Sequence, residues 1–181
     1  MATDWSGLTA TIKASITAEA QHGLDLSTVL DPLSVSEKFS PSFGSGDNAV
    51  DEIWHDRRTL AASANEDLDL AGVLVNARNK TVTFAKVKYM LVVNTSDVVT
   101  TGHGVATDAG MEVGGAAATQ FLGPFKDATD KIVLEVGDCF LVTCKKAGWT
   151  VTGGSVDFLR ITNTDGADAL QYDIVLIGTS T

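Results

Sequence analysis

The stretch TVTFAKVKYMLVVN, residues 81–94, is the longest β-strand pattern in the chain and lies near its middle. Side chains of a strand point alternately to its two faces, so apolar residues at every second position mark a buried face. Here the apolar positions change from even to odd numbers partway along: Val82 and Phe84 are followed by Val87, Tyr89, Leu91 and Val93. We therefore predict one strand with a β-bulge at Ala85 and Lys86, which returns both sets to a single buried face.

Shorter strand patterns surround this stretch and are separated by turns rich in Gly, Asn and Asp. They recur at intervals of roughly 8–15 residues, with almost no helical periodicity. The last two, at residues 157–163 and 170–178, flank TDGAD and predict a hairpin. The whole pattern predicts an all-β fold, an antiparallel β-sandwich of jelly-roll type.

The first 48 residues differ from the rest of the chain in their residue pattern and predict an extended N-terminal arm, which leaves residues 49–181 for the sandwich. Residues 8–18 alternate apolar side chains with threonine, serine and lysine, which favours a strand. Leu8, Ile12 and Ile16 also recur at every fourth position, so a short helix is the competing interpretation. A second strand candidate covers residues 33–39, and SPSFGSGDN (40–48) is typical of a turn or hinge.

The charge balance bears on the possible partners. Acidic residues outnumber basic ones by 23 to 13, and the formal net charge is −10. Binding to phosphates requires clustered Lys and Arg, whereas the basic residues here occur in pairs, so we expect no nucleic-acid partner. The longest apolar run, residues 89–93, is far shorter than the roughly 20 residues that cross a bilayer. With no signal-peptide pattern at its start, the chain is expected to be soluble, made in the cytoplasm and without a membrane partner.

Residues capable of catalysis or metal binding are scattered. His22, His55 and His103 are far apart and show no ligand spacing. Asp67 and Asp69 share a strand face and could bind a cation, although a solvated strand face is the simpler interpretation. The glycine-rich segments GSGDN (44–48), GHG (102–104) and GGAAAT (114–119) lack the features of phosphate-binding loops. Cys139 and Cys144 lie too far apart along one strand to form a disulfide. We expect no enzyme activity, no metal and no cofactor.

The tryptophans receive different interpretations. Trp149 is expected in the core or over one end of the sandwich. Trp5 precedes the first strand with little nearby to pack on, and an anchor into a neighbouring subunit would explain it. Trp54 lies in the densely charged segment AVDEIWHDRRTL (49–60), for which we predict a strand with one solvated face.

The middle and C-terminal parts resemble a known group of proteins. The resemblance covers roughly residues 50–181 and is carried by the following segments in this order: RTLAASANEDLDLAG (58–72), TVTFAKVKYMLVVN (81–94), VGGAAATQFLGPFKDATDKIVLEVGDCFLVT (113–143), GWTVT (148–152) and LRITNTDGADALQYDIVLIGTS (159–180). Together they resemble small structural proteins of tailed-bacteriophage particles and prophages. The resemblance implies a virion component, with jelly-roll cement or decoration proteins of the capsid exterior as the nearest functional type. It further implies the major capsid protein as partner and self-association as a homotrimer.

Such a role would place the contacts between subunits in the N-terminal arm. We expect residues 1–20 to hold them, because an alternating strand can add to the edge of a neighbour's sheet. The candidate interface residues are Trp5, Leu8, Ile12, Ile16 and Trp54. The alternative is a tail or host-attachment protein with a jelly-roll head, although the segment 94–110 lacks the aromatic residues of a binding cleft. A cupin-like enzyme is remote, because it would need clustered metal-binding His and Glu.

Overall fold

A computed structural model describes residues 7–96, 110–115 and 119–181, and within these residues the chain forms strands and no helix. The strands are, in chain order, β1 (Ile12–Gly23), β2 (Thr28–Phe39), β3 (Ser42–Phe43), β4 (Ala49–Val50), β5 (Glu52–Leu60), β6 (Asn65–Asp69), β7 (Lys86–Asn94), β8 (Met111–Gly114), β9 (Lys131–Leu134), β10 (Cys139–Thr143), β11 (Trp149–Thr150), β12 (Phe158–Asn163) and β13 (Leu170–Thr179). The predicted all-β class is confirmed.

Two antiparallel sheets form the body of the molecule. One has five strands, in the order β10-β7-β13-β5 with β11 also paired to β7, and the other has four, in the order β6-β12-β8-β9. A third antiparallel sheet consists of β1 and β2 alone, and β3 and β4 form a two-residue parallel pair. The antiparallel arrangement agrees with the prediction, whereas the sandwich and jelly-roll topology stay predictions.

One hydrophobic core contains side chains from both body sheets. It includes Met90, Val92, Ile174 and Leu176 from the five-stranded sheet and Ile161 from the four-stranded sheet, all almost fully buried. Removing a side chain of this size from water contributes about 1.5–3 kcal/mol each. Half-buried Trp149 packs against the same core, in agreement with its predicted place.

The central strand differs from its prediction in length and in the position of the bulge. β7 begins at Lys86, and Val82 and Phe84 reach the core from the irregular segment before it. The bulge lies at Lys88, because β13 pairs Gly178 with Val87 and Ile177 with Tyr89 and so leaves Lys88 without a partner in that strand. The bulge predicted at Ala85 and Lys86 was therefore wrong.

The buried face of β7 was also wrongly predicted. Val87 faces the main core, but beyond the bulge the core side chains are Met90 and Val92, while Tyr89 belongs to a second cluster on the outer face. A central strand that is covered on both faces carries apolar residues on both, so alternation alone does not identify the core side.

The predicted C-terminal hairpin was wrong as well. β12 pairs with β6 and β8 in one sheet, whereas β13 pairs with β5 and β7 in the other. The connection around TDGAD therefore crosses between the two sheets. It is fixed by Asn163, whose side-chain amide donates hydrogen bonds to the carbonyl oxygens of Ala61 and Asp168 at 3.0 and 2.9 Å.

Candidate functional site

The most distinctive feature of the molecule is the two-stranded ribbon formed by β1 and β2. The strands pair without interruption from Ile12 opposite Phe39 to Gly23 opposite Thr28. Residues 24–27 join them, and the backbone N–H of Leu24 donates to the carbonyl of Ser27 at 2.7 Å. With 12 residues in each strand, the ribbon is about 40 Å long.

The ribbon is amphipathic, because paired residues project to the same face. One face carries the pairs Ile16–Val35 and Ala18–Leu33. The opposite face carries the pairs Lys13–Lys38, Ser15–Ser36 and Thr17–Ser34. We call the first of these the apolar ribbon face, and define it by its apolar members Ile12, Ala14, Ile16, Ala18, Ala20, Val29, Leu33, Val35 and Phe39. The same register also places three polar residues on this face: Glu37 opposite Ala14, Asp31 opposite Ala20, and His22 opposite Val29.

The base of the apolar ribbon face is already buried within the same chain. Ile12 packs with Tyr89 and Ile177 in the second cluster, which lies on the outer face of the five-stranded sheet. Phe39 joins this cluster, with its ring centroid 6.4 Å from that of Tyr89. The ribbon thus contacts the body through its first cross-strand pair, Ile12 and Phe39, which we call its first rung.

A buried lysine fastens the chain just after the ribbon. The side chain of Lys88, at the bulge of β7, is only 1% exposed and donates hydrogen bonds to the carbonyl oxygens of Gly46 and Ala49 at 2.6 and 2.8 Å. Burial lowers the pKa of its ammonium group, because desolvation disfavours the charged form. The two contacts hold the segment that leads from β2 into the body.

Beyond the base, the apolar ribbon face is open. Ile16 is 67% exposed, and Val29, Leu33 and Val35 are each more than half exposed. At the far end Leu26 is fully exposed. Apolar side chains grouped on one side of a long ribbon form the type of patch that in soluble proteins marks an interaction site.

The predicted interface residues fall in different places. Leu8 and Ile12 come together in the outer cluster, and Ile16 lies two pairs further along the apolar ribbon face, beyond Ala14 and Glu37. Trp54 lies on the opposite side of the five-stranded sheet, in the main core, where its indole N–H donates to the carbonyl of Val75 at 3.1 Å. Its buried position gives it a packing role. Trp5 lies outside the described residues.

The sequence pattern predicted the last seven residues of the ribbon's second strand and missed its first five. It placed a strand at residues 33–39, whereas β2 begins at Thr28 and runs through Pro32. Proline is tolerated here because one edge of each strand in a two-stranded ribbon faces solvent. Val29, opposite His22, was the available signal, since with Leu33 and Val35 it continues the odd-numbered apolar positions.

A charged network joins β5, β6 and β13 away from the ribbon. The buried Tyr172 hydroxyl donates to Glu66 Oε1 at 2.7 Å, and Arg58 donates to Glu66 Oε2 at 2.8 Å. Burial, together with the hydrogen bond to Glu66, raises the pKa of the Tyr172 phenol well above its ordinary value. Since β5 and β6 belong to different sheets, the network ties the two sheets together.

The other residues considered for chemistry have structural or exposed positions. Asp67 forms a two-point ion pair with Arg160, at 2.7 and 2.8 Å, and Asp69 accepts the backbone N–H of Ala71. His22 and His55 are exposed, and His103 lies outside the described residues. Within residues 7–96, 110–115 and 119–181 no group of three His, Cys, Asp or Glu side chains is placed to hold a metal ion. The same residues contain no helix that could span a membrane.

Comparison with known proteins found no matching family model, no matching curated protein and no matching solved structure. What indicates a function for this chain is therefore the geometry of the ribbon together with the sequence resemblance.

Proposed function

We propose that this chain is a non-enzymatic structural protein of a bacteriophage particle, of the cement or decoration type, in which the ribbon makes contacts between subunits. The observation that carries the proposal is the apolar ribbon face, which is exposed from Ile16 onward. In this proposal residues 49–181 form a jelly-roll sandwich on the capsid exterior, residues 1–48 form the assembly arm, and the partners are the major capsid protein and further copies in a homotrimer.

The physical support for an assembly role is the instability of such a ribbon by itself. A lone two-stranded sheet is marginally stable in water, and an exposed apolar strand edge invites pairing with other chains. A ribbon with more than half-exposed Val29, Leu33 and Val35 gains stability when a protein surface covers these side chains. An assembly that covers the ribbon permanently provides this surface.

The composition supports a position on the outside of a particle. A net charge of −10 repels nucleic acid and keeps closely spaced copies from binding unrelated particles. The two antiparallel body sheets, which contribute to a single core, supply a rigid base from which the ribbon can reach a neighbour.

The copy number of the chain in purified particles tests the proposal, measured by quantitative mass spectrometry against the main shell protein. We expect a fixed stoichiometric ratio to the shell subunit. A few copies in each particle would instead favour the tail or host-attachment alternative, and absence from the particle would overturn the structural role.

A further inference from the structure

We propose that the apolar ribbon face binds the outer face of the five-stranded sheet in a second copy of this chain. The inference deepens the proposed function and rests on the ribbon's role as an assembly element, because it names the partner of that element. It concerns contacts between copies, so the free protein in solution can be used to test it.

The outer face of the five-stranded sheet offers two neighbouring rows of side chains. Strand register places Ile53, Ile177 and Tyr89 in the first row. The second row, one step further from the base of the ribbon, consists of half-buried Val175, Leu91 and Leu141, with exposed His55 at its β5 end. Val175 and Leu141 also pack against the outer cluster of the first row. A surface cavity of ≈ 390 Å³ lies against both rows and is lined by Tyr89, Leu91, Leu141, Val175 and Ile177 together with Thr11 and Lys13. The second row is the surface that we assign to the neighbour's ribbon.

The chain already shows that the two surfaces match. The first rung of the apolar ribbon face, Ile12 and Phe39, packs on the first row through Tyr89 and Ile177. Ile16 and Val35 form a later rung of the same ribbon face. A neighbour's rung on the second row would therefore extend an apolar contact that exists within each copy.

The charges of the ribbon favour, as its binding partner, a protein surface that carries little net charge. Between Ile12 and Phe39 the acidic residues are Glu19, Asp25, Asp31 and Glu37, against Lys13 and Lys38. This composition gives no attraction to an anionic membrane or to nucleic acid. The half-buried aliphatic side chains of the second row are a suitable partner for Ile16, Leu33 and Val35, because this contact removes apolar surface of both copies from water.

The area of the contact favours closed assemblies over simple dimers. The open part of the ribbon is about 30 Å long and about 10 Å wide, so one contact covers roughly 300 Å² on each partner. Stable interfaces cover about 800 Å² on each partner. Because the ribbon and the second row are different surfaces of one chain, each copy can give one contact and receive another, so each copy in a closed ring buries roughly 600 Å² in two contacts.

Substitutions on the two ribbon faces test the contact, with the mass in solution measured by sedimentation or light scattering over a range of concentrations. Val35→Glu places a charge on the apolar ribbon face, whereas Ser36→Glu places the same charge one residue further on, on the opposite face. We expect Val35→Glu to weaken self-association at least about tenfold and Ser36→Glu to leave it nearly unchanged. Added salt should strengthen association, because the copies carry the same net charge.

The second row, which is the proposed receptor for the neighbour's ribbon, is tested in the same way. Leu141→Glu changes the second row, and Val133→Glu, on an edge strand of the other sheet, is its matched control. We expect Leu141→Glu, but not Val133→Glu, to weaken association, with unfolding curves confirming that each variant is folded. If only the ribbon substitution matters, the ribbons bind each other, and the proposed receptor is wrong.

A crosslinking experiment identifies the two chains in contact. A photoreactive amino acid replaces Ile16 in unlabelled protein, which is mixed with ¹⁵N-labelled natural chain. We expect mixed-label crosslinks to peptides containing Leu91, Leu141 or Val175, and few from the same group placed at Ser15. Crosslinks confined to one isotope, or a protein that stays monomeric at all concentrations, would overturn the inference.

The failure of this inference is distinguishable from the failure of the proposed function. A monomeric chain found in a fixed ratio to the shell protein in particles would refute self-association and leave the cement role standing. A chain that self-associates but is absent from particles would refute the cement role and leave self-association standing.

Discussion

Tyr172 gives the sharpest test of the energetics, because its raised pKa makes stability depend on alkaline pH. The phenol is fully buried on β13 and donates to Glu66. Ionisation would remove this donor and place a negative charge beside the Glu66 carboxylate, so the folded state holds the proton while the unfolded chain releases it near pH 10. The stability due to this group is fully present below pH 10 and is lost as the pH rises above it.

The loss of folding stability at alkaline pH is set by the tyrosine pKa in the unfolded chain. With an ordinary tyrosine pKa of about 10 there, and a phenol that stays protonated in the folded state because burial and Glu66 raise its pKa, the linkage relation gives a loss of about 1.4 kcal/mol between pH 9 and pH 11. Replacing Tyr172 with Phe removes this pH dependence. At neutral pH the same variant should lose about 1–2 kcal/mol, because the hydrogen bond to a carboxylate disappears.

The assay is denaturant unfolding of the natural chain and of Tyr172→Phe at both pH values. Burial lowers the pKa of Lys88 and raises that of Tyr89, so both groups also make stability depend on alkaline pH, with opposite signs. The informative quantity is therefore the difference between the two proteins. The chain has only two tyrosines, so Tyr89→Phe leaves Tyr172 as the single source of tyrosinate absorbance. If Tyr172→Phe loses as much stability as the natural chain between pH 9 and pH 11, the explanation is refuted.

Three further predictions concern the body and the ribbon. Gly178→Ala should destabilise by about 1–3 kcal/mol in denaturant unfolding, because a Cβ there would overlap the carbonyl oxygen of Lys86. Gly166→Ala is the control, because a Cβ there would meet only Ser63 Oγ, at an ordinary contact distance of 3.9 Å. Replacing residues 16–35 with a tight turn should change the unfolding free energy of the body by less than about 0.5 kcal/mol, because the body's core contains none of these side chains. Trp54→Phe should cost about 1–3 kcal/mol in the same assay, because the loop carbonyl that accepts its indole N–H is left without this donor.

The all-β class could be predicted from sequence because period-two alternation and Gly and Asx turns are local signals. The strand pairing could not, because it depends on contacts between distant segments. The β12–β13 connection illustrates this: TDGAD has the composition of a hairpin turn, but the flanking strands bury their alternating side chains in one core from opposite sheets. Local turn chemistry is the same in both arrangements.

The ribbon illustrates the same limit at the candidate site. The alternation around Ile12 and Ile16 predicted a strand, but not that its partner would be β2 alone. Nor could the sequence show that Lys88 is buried, since a lysine between Val87 and Tyr89 fits an ordinary solvated position. The bulge of β7 turns this side chain toward Gly46 and Ala49, and that position depends on the register with β13.

The position of Lys88 also connects the body to the proposed assembly. Its ammonium holds the segment after β2, and the first rung of the ribbon rests on Tyr89, the next residue of β7. The same strand continues to Leu91, in the row that we assign to a neighbour's ribbon. Binding of that neighbour would stabilise β7, and through it the seat of the chain's own ribbon. A copy whose second row is covered would therefore have a more stably positioned ribbon, and this ribbon would bind the next copy more tightly. Such coupling favours a closed assembly over isolated pairs.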